Sequence, residues 1–315
     1  MAIRPARRPL SLPAPLQRRL ESTASAYFAA PPGYGIDFSN PPGEPALTAP
    51  DSLSWQVFKN PLALFVGGVA AVILEFAEPR VRTGVWNATG FRTDPAARLR
   101  STGLAAMMTV YGPRSRAQAM IAAIRRRHDG ICGVTEEGEA FHASQPALLD
   151  WVYATASFGF LEAFHAYVRP MDTPQRDRFY AEGRIAAGLY GACGAPASQH
   201  ELETLMQHMD SRLQGSPVVF EFLAIMRRAC LLPGPLVHAQ PMLVRAAVDL
   251  VPAPIRERLA LDARWSLQPW ERLLVRRCGA SADRLMLRSC PPVLACRRLG
   301  LADDYLYRQP GAARR

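Results

Sequence analysis

Side chains that could carry out oxygen or metal chemistry lie on two successive predicted helices, over residues 94–133. On the first helix, Arg98, Thr102, Ala105 and Thr109 recur at helical spacing and form one stripe. An arginine and a hydroxyl one turn apart can direct hydrogen-bond donors at a bound oxygen species or substrate. The alternative is an ordinary helix surface on which Arg98 extends towards solvent.

The second helix ends in a histidine that shares a face with apolar residues. Ala117, Ile121, Ile124 and His128 recur at helical spacing, so we expect His128 to point inwards. A neutral imidazole in that position can ligate a metal, or it can form a hydrogen bond to a carbonyl that has only a structural role. The pattern alone leaves both interpretations open.

A third predicted helix begins at Pro61, ends before Pro79 and is apolar nearly all round, which is typical of a central core helix. Gly67 and Gly68 in its middle cost about 1 kcal/mol of helix stability each. Close approach of another helix, or of a flat ligand, would account for that cost.

A rival constellation of metal ligands is present. Glu162 and His165 have the Glu-x-x-His spacing that forms half of a ferritin-like di-iron site, on a long predicted helix. A second such pair lies in a turn-rich segment rather than on a helix, and two further carboxylates precede the arginine stripe. These additional candidate ligands are Glu139, His142, Glu75 and Glu78.

Composition narrows the class of protein. The chain has 315 residues, of which 49% are hydrophobic, so it can bury a sizeable core. The net charge is +10 but Lys59 is the one lysine, and the arginines are spread along the chain without a nucleic-acid-binding motif. We therefore expect no nucleic-acid partner, while contact with an acidic membrane surface stays open. The six cysteines form no C-x-x-C pair, which argues against structural zinc and favours buried free thiols in a reducing compartment.

The termini and apolar runs indicate a cytoplasmic protein. Arg7 and Arg8 could suggest a twin-arginine signal, but prolines and Gln17-Arg18-Arg19 follow where an apolar region is needed. The longest charge-free apolar run, Pro61 to Leu74, has 14 residues, and about 20 are needed to span a bilayer.

The pattern along the chain predicts an all-α fold with one mainly helical domain. Residues 1–50 read as an irregular N-terminal arm with a short helix around Leu16–Ala29, and residues 51–315 as the catalytic domain. Residues 130–144 could hold a small hairpin. The remaining helices are predicted to begin near Asp51, Pro61, Asp94, Ser115, Gln145, Thr173, Ser198 and Pro217, with further helical stretches over 237–250, 254–260, 268–277 and 291–298.

An ordered set of short motifs resembles the MpaB-type oxygenase family, which shares its catalytic domain with the rubber oxygenase called latex-clearing protein. The resemblance covers about residues 51–260, and the order and spacing of its motifs are more specific than any one of them. The motifs are Trp55-x-x-Phe58-x-Asn60-Pro61, Gly67-Gly68-x-Ala70-Ala71, Glu75-x-x-Glu78-Pro79, Phe91-Arg92-x-Asp94-Pro95, Arg98-Leu99-Arg100-Ser101-Thr102, His128-x-x-Ile131-x-Gly133, Leu148-Leu149-x-Trp151-Val152 and Arg176-Asp177-x-Phe179-Tyr180-x-Glu182.

This resemblance implies a helical fold around a buried b-type haem, with dioxygen as co-substrate. The proximal haem ligand of the family matches His128, and its catalytic arginine and threonine match Arg98 and Thr102. Rubber oxygenases carry a lysine before that threonine, on the distal side of the iron. Ser101 takes its place here, so a lysine-ligated closed state cannot form.

The resemblance also implies a distal glutamate base, for which Glu75 and Glu78 are the candidates. Gly68 and His165 are expected to line the haem pocket. The implied substrate is hydrophobic, with isoprenoids as one class, and the implied reaction is oxidative cleavage of a carbon–carbon double bond. A non-haem di-iron oxidase and a non-catalytic haem or lipid carrier stay open as alternatives, and the sequence leaves the oligomeric state undetermined.

Overall fold

A computed structural model describes residues 9–10, 12–28, 36–88, 90–232 and 234–308 of the chain. Over these residues the protein is mainly helical, as the sequence predicts. The helices are α1 (Ala14–Phe28), α2 (Leu53–Phe58), α3 (Pro61–Ala77), α4 (Pro79–Ala88), α5 (Pro95–Tyr111), α6 (Arg114–His128), α7 (Pro146–Tyr167), α8 (Thr173–Tyr190), α9 (Gln199–Met209), α10 (Pro217–Arg228), α11 (Gln240–Leu250), α12 (Ala253–Arg258), α13 (Pro269–Ala282), α14 (Pro291–Arg298) and α15 (Tyr305–Arg308). Short 3₁₀ turns cover Asp210–Arg212, Gly234–Ala239 and Ala263–Trp265.

Local capping chemistry explains where the helices next to the site begin. The Asn60 side chain accepts hydrogen bonds from two first-turn amides of α3, each at 3.1 Å. Asp94 caps α5 by accepting from the amide of Ala97 at 2.9 Å. Proline follows each cap, at the first helical position, where its missing N–H costs nothing. These two helix starts are therefore fixed by their own sequence.

Two details of the helix prediction are wrong. Ser52 rather than Asp51 caps α2, because its hydroxyl accepts from the amide of Trp55. Pro79 was expected only to follow the end of a helix, but it begins α4, whose first turn tolerates proline. Glu78 lies between α3 and α4 and accepts from the amide of Val81 at 2.8 Å, so it holds the start of the second helix.

The core is organised around the crossing of α3 and α7. A Cβ atom on Gly67 would lie 2.7 Å from the carbonyl oxygen of Gly159, and one on Gly159 would lie 2.3 Å from that of Gly67. Two backbones meet here with no room for a side chain on either. Trp151 of α7 is fully buried beside the crossing and donates from its indole nitrogen to the carbonyl of Leu74 at 3.3 Å.

Gly68 differs from its neighbour because it does not serve this crossing. A Cβ atom there would meet only an edge atom of the Phe160 ring, at 3.9 Å. Gly68 belongs to a stripe with Phe65, Val72 and Glu75, spaced by three or four residues, whose members all keep some accessible surface. The rest of α3 is largely buried, so this stripe is the side of the central helix that no neighbour covers fully.

Two smaller elements complete the scaffold. Strands β1 (Cys132–Val134) and β2 (Ala140–His142) pair in an antiparallel hairpin with Gly133 opposite Phe141, where the turn-rich segment suggested one. Residues 36–50 contain no regular element and pack against α14, whose Arg298 donates to the carbonyl of Phe38 at 2.6 Å. The predicted arm residues 1–8, 11 and 29–35 lie outside the described residues, and the domain boundary at residue 50 stays a prediction.

Most of the cysteines lie at the surface of the protein. The expectation of buried thiols is wrong for four cysteines, which lie on the hairpin, in turns and on the outer side of α13 and are exposed: Cys132, Cys193, Cys230 and Cys278.

None of the described helices is both long and apolar enough to cross a membrane alone. Helices α3 and α4 meet that criterion only when taken together, and they are bent by 115°.

The two adjacent glycines of α3 should respond in opposite ways to the same substitution. Gly67→Ala forces a methyl group into the backbone of α7 and should lower the free energy of unfolding by about 2 kcal/mol or more. Gly68→Ala adds helix propensity where there is space, so the free energy of unfolding should change by less than about 1 kcal/mol. Chemical denaturation of both variants measures this difference, and equal losses would contradict the assignment of the crossing to Gly67.

Candidate active site

The predicted stripe on α5 is not packed away. Arg98, Ala105 and Thr109 keep part of their surface accessible and Thr102 is exposed, whereas Leu104, Met107, Met108 and Tyr111 on the other side are buried. The reason is that α5 packs along α2 and α6 rather than along the central helix α3. The stripe therefore borders a space instead of a neighbouring helix.

Arg98 and Thr102 act as one hydrogen-bonded unit. The Nη1 group of Arg98 donates to the hydroxyl of Thr102 at 2.5 Å, and that hydroxyl donates to the carbonyl of Arg98 at 3.0 Å. The guanidinium lies over the ring of Phe91, 5.3 Å from its centre. Its Nε is buried and finds no hydrogen-bond acceptor among the described residues. A buried donor in a charged group without a partner is costly, which indicates a position prepared for an acceptor from elsewhere.

Glu75 of the α3 stripe lies within electrostatic reach of Arg98. Burial raises the pKa of Glu75 to about 7, even though the positive charge of Arg98 acts to lower it. Burial lowers the pKa of Arg98, and Glu75 acts in the opposite direction. Glu75 keeps some accessible surface while its carboxyl group is deeply enclosed, so that surface faces an internal space rather than bulk water.

His128 lies at the last position of α6 and is partly buried. Burial is the main cause that lowers its pKa, Arg98 lowers it further, and the neighbouring Asp129 opposes both. The neutral imidazole is therefore favoured at pH 7. Its Nδ1 is buried without a hydrogen-bond partner among the described residues. Ser144 donates to the carboxylate of Asp129 at 2.6 Å, which holds the end of this helix against the segment after the hairpin.

A cavity of about 270 Å³ opens beside His128. Leu149 of α7 and Tyr190 of α8 contribute to its wall together with Arg125 and Cys193. The hydroxyl groups of Tyr190 and Thr109 lie 3.0 Å apart, so the far end of the α5 stripe reaches the same region. The residues that line this cavity belong to α6, α7, α8 and the loops beside them, and α5 contacts its wall through the hydrogen bond between Thr109 and Tyr190. Glu75 and Arg98 are coupled electrostatically but are not among the lining residues.

The helical pattern of the sequence singles out neither Tyr190, which lines the cavity, nor Tyr153, whose ring lies 6.4 Å from that of Tyr190. Burial raises the pKa of both tyrosines. Their positions on α7 and α8 share a periodicity with core residues, so the sequence offered no signal that distinguishes them.

Two candidate residues have partners elsewhere. Glu78 is only 1% exposed and forms an ion pair with Arg80 at 2.6 Å. His165 accepts a hydrogen bond on Nδ1 from the amide of Met171 at 3.0 Å. It lies about 24 Å along α7 from Leu149, by the rise of an α-helix, so the structure does not bring it to the cavity beside His128.

The di-iron constellation is not assembled. Glu162 is ion-paired with Arg176, and Glu139 on the hairpin faces Arg80 and Arg212. His142 contacts the carbonyl of Asp129. Over the parts of the chain that the structure describes, no group of three or more histidine, cysteine, aspartate or glutamate side chains could hold a metal ion.

The described residues offer a neutral histidine beside a cavity, an arginine–hydroxyl pair and an enclosed carboxyl group, and the charge of Arg98 acts on both the histidine and the carboxyl group. Residues 55–283 match the family model described as "ER-bound oxygenase mpaB/B'/Rubber oxygenase, catalytic domain". The chain belongs to this oxygenase family. Comparison with curated proteins finds no match, and comparison with solved structures finds none either.

The enclosed carboxyl group of Glu75 should make stability depend on pH. Its pKa of about 7 in the folded protein exceeds its ordinary value of 4.5, so the folded state retains a proton that the unfolded chain releases. The stability of the native protein should therefore fall as pH rises from about 4.5 to about 7, and level off above that.

Glu75→Gln carries no such proton, so its free energy of unfolding relative to the native protein should increase between pH 5 and pH 7.5. Denaturant titrations at several pH values measure this difference. Glu203→Gln, at an exposed position on α9, is the matched control. A constant difference between Glu75→Gln and the native protein across this range would show that the carboxyl group is not enclosed.

Proposed function

We propose that this protein is a haem b-dependent oxygenase that acts on a hydrophobic substrate of isoprenoid type. The observation that carries the proposal is the electrostatic coupling of Glu75, Arg98 and His128, which come from three different helices. Residues 23 to 53 positions apart in the sequence would have no reason to converge if each served only its own helix surface. Membership of an oxygenase family supports the same interpretation.

The residues present fit a haem in three respects. His128 offers a neutral imidazole with an unpartnered buried nitrogen, as an axial ligand requires. Gly68 lies on the uncovered stripe of α3, where a Cβ atom would meet only one ring, so a flat group has room beside it. Arg125 lines the same cavity as His128 and is suited to pair with a carboxylate of the porphyrin.

Haem bound there would supply the redox-active iron that activates dioxygen. Arg98 would direct its unpartnered Nε donor at an oxygen atom, and Thr102 would fix the guanidinium through the hydrogen bond from Nη1. With a pKa of about 7, the carboxyl group of Glu75 can hold or release a proton near neutral pH, as a general base does. Glu78 does not share this role, because its carboxylate is occupied by Arg80.

One partly accessible face of α7 suits a hydrocarbon substrate. Leu149, Tyr153, Ala156 and Phe160 recur at helical spacing along α7, and each keeps some accessible surface. Cleavage of a double bond by dioxygen would place one oxygen atom on each carbon and give two carbonyl groups. An exposed Ser101 stands where rubber oxygenases carry a lysine, so this position offers no amine that could serve as a metal ligand.

The two alternative functions differ in what they leave unexplained. A di-iron oxidase would need Glu162 and His165, and both side chains already have partners within the protein. A haem or lipid carrier would use the same pocket but gives no reason for an enclosed carboxyl group with a pKa of about 7 beside an arginine. Measurement of cofactor content separates the di-iron oxidase from the proposal, and measurement of turnover separates the carrier from it.

Loss of one histidine should remove the cofactor. Purified native protein, expressed with ample haem supply, should show a Soret band, and His128→Ala should lack most of it. His208→Ala replaces an exposed histidine on α9 and should keep the full spectrum. The proposal fails if the native protein is free of haem, or if both variants retain the same absorbance.

The arginine should matter for turnover rather than for haem binding. Arg98→Gln removes the donor aimed into the site, so oxygen consumption with isoprenoid hydrocarbons should fall about 100-fold while the Soret band persists. Ser101→Ala is the matched control on the same helix, since that hydroxyl is exposed and donates only to the carbonyl of Arg98. No oxygen consumption by the haem-loaded native protein with any isoprenoid would favour the carrier.

A further inference from the structure

Helix α13 exposes large apolar side chains in its first two turns. Trp270 is 64% exposed, Leu273 50% and Leu274 40%. Positions 270, 273 and 274 lie on one face of a helix. Trp55 and Trp151 are fully buried by contrast, so Trp270 is placed in water although the fold has a core that accepts the same side chain. An exposed cluster of this kind is typical of an interaction surface.

The opposite face of α13 is fixed to the core, so this exposure does not result from a loosely docked helix. Val275 is fully buried, and a Cβ atom on Gly279 would lie 2.3 Å from the carbonyl oxygen of Tyr167, at the end of α7. Arg276 donates to the carbonyl of Ala166 at 2.9 Å. These contacts determine the rotation of α13 and point Trp270 outwards.

The exposed face is also basic. Arg272, Arg276 and Arg277 are all exposed on this helix, and Arg277 shares the face of Trp270 two turns further on. The one acidic residue of α13, Glu271, is buried and paired with Arg245. Arg272 is in turn paired with Asp249 at 2.6 Å and Arg276 with the carbonyl of Ala166, so Arg277 is the arginine of this helix on the apolar face.

We propose that the α13 surface, formed by Trp270, Leu273, Leu274 and Arg277, docks the protein on an anionic lipid surface. Tryptophan and leucine on one helix face can insert at the boundary between headgroups and acyl chains, while arginines pair with anionic headgroups. The net charge of +10 favours the same partner over long range. The helix lies in the plane of the membrane and does not cross it.

A second copy of the chain suits this surface less well. A two-fold contact would place the same patch on both sides, so the arginine of one copy would face that of the other. Like charges brought together at an interface oppose association. An anionic lipid surface suits both parts of the patch, because its acyl chains contact the apolar side chains and its headgroups pair with arginine.

The test is co-sedimentation of the full chain with vesicles. Binding to phosphatidylcholine vesicles that contain about one third phosphatidylserine should exceed binding to phosphatidylcholine alone, and should weaken as salt is added. Trp270→Ser combined with Leu273→Ser should lower the apparent affinity for the mixed vesicles about tenfold or more. Arg277→Gln should lower it about fivefold.

The chain offers a matched control for each part of the surface. Ile185→Ser removes an apolar side chain on α8 that is 58% exposed, and Arg184→Gln removes an exposed arginine beside it. Both controls should bind vesicles as the native protein does. Circular dichroism shows whether all variants are folded, and haem content reports the proposed oxygenase separately, so failure of one proposal does not affect the other.

The outcomes divide clearly. Selective binding to anionic vesicles that is lost in both α13 variants supports the proposal. Equal binding to both vesicle types, or binding unchanged in the α13 variants, overturns it. Absence of vesicle binding, together with dimerisation that the Trp270→Ser and Leu273→Ser changes abolish, would assign the surface to a second copy instead.

Discussion

The backbone contact between Gly67 and Gly159 is the constraint on which the rest of the structure depends. It brings α3 and α7 so close that they form one rigid pair, around which the other core helices are arranged. Because α3 is committed to α7 on that side, its opposite stripe can remain uncovered without loss of the core. Gly68, Val72 and Glu75 lie on this stripe. The adjacent glycines of α3 thus have different roles: Gly67 allows the helix crossing, and Gly68 lies on the stripe that no neighbour covers fully.

The electrostatics of the site follow from this arrangement. Glu75 is enclosed because the central helix is enclosed, and its pKa rises for that reason. The charge of Arg98 acts on both Glu75 and His128 and lowers the pKa of each. Asp94 caps helix α5, which carries Arg98, and the hydrogen bond to Thr102 holds the guanidinium in place. Burial is the main cause both of a carboxyl group that titrates near neutrality and of a neutral histidine, while Arg98 opposes the first shift and adds to the second.

Much of the scaffold was predictable because its signals are local. Proline at the first helical position and side-chain caps such as Asn60 and Asp94 mark helix starts within a few residues. The stripe of Arg98 and Thr102 and the inward face of His128 could be read from helical spacing in the same way. Pro79 is a case that local signals do not resolve, because the same residue can follow one helix and begin the next.

The contacts between distant helices could not be predicted from local patterns. The ion pairs of Glu78 with Arg80 and of Glu162 with Arg176 remove two candidate carboxylates, and no spacing rule reveals them. Tyr190 reaches the site only because α8 packs against α6 and α7. Two adjacent glycines look alike in the sequence, yet one faces a backbone and the other a space. Site membership here depends on packing, which is non-local.

The central claim is that α5 and α6 form two walls of one haem pocket. The molar content of iron and porphyrin in the purified full-length protein tests it most directly. The claim predicts one iron and one protohaem per chain. Two irons without porphyrin, or neither metal nor porphyrin after expression with ample haem, would contradict it.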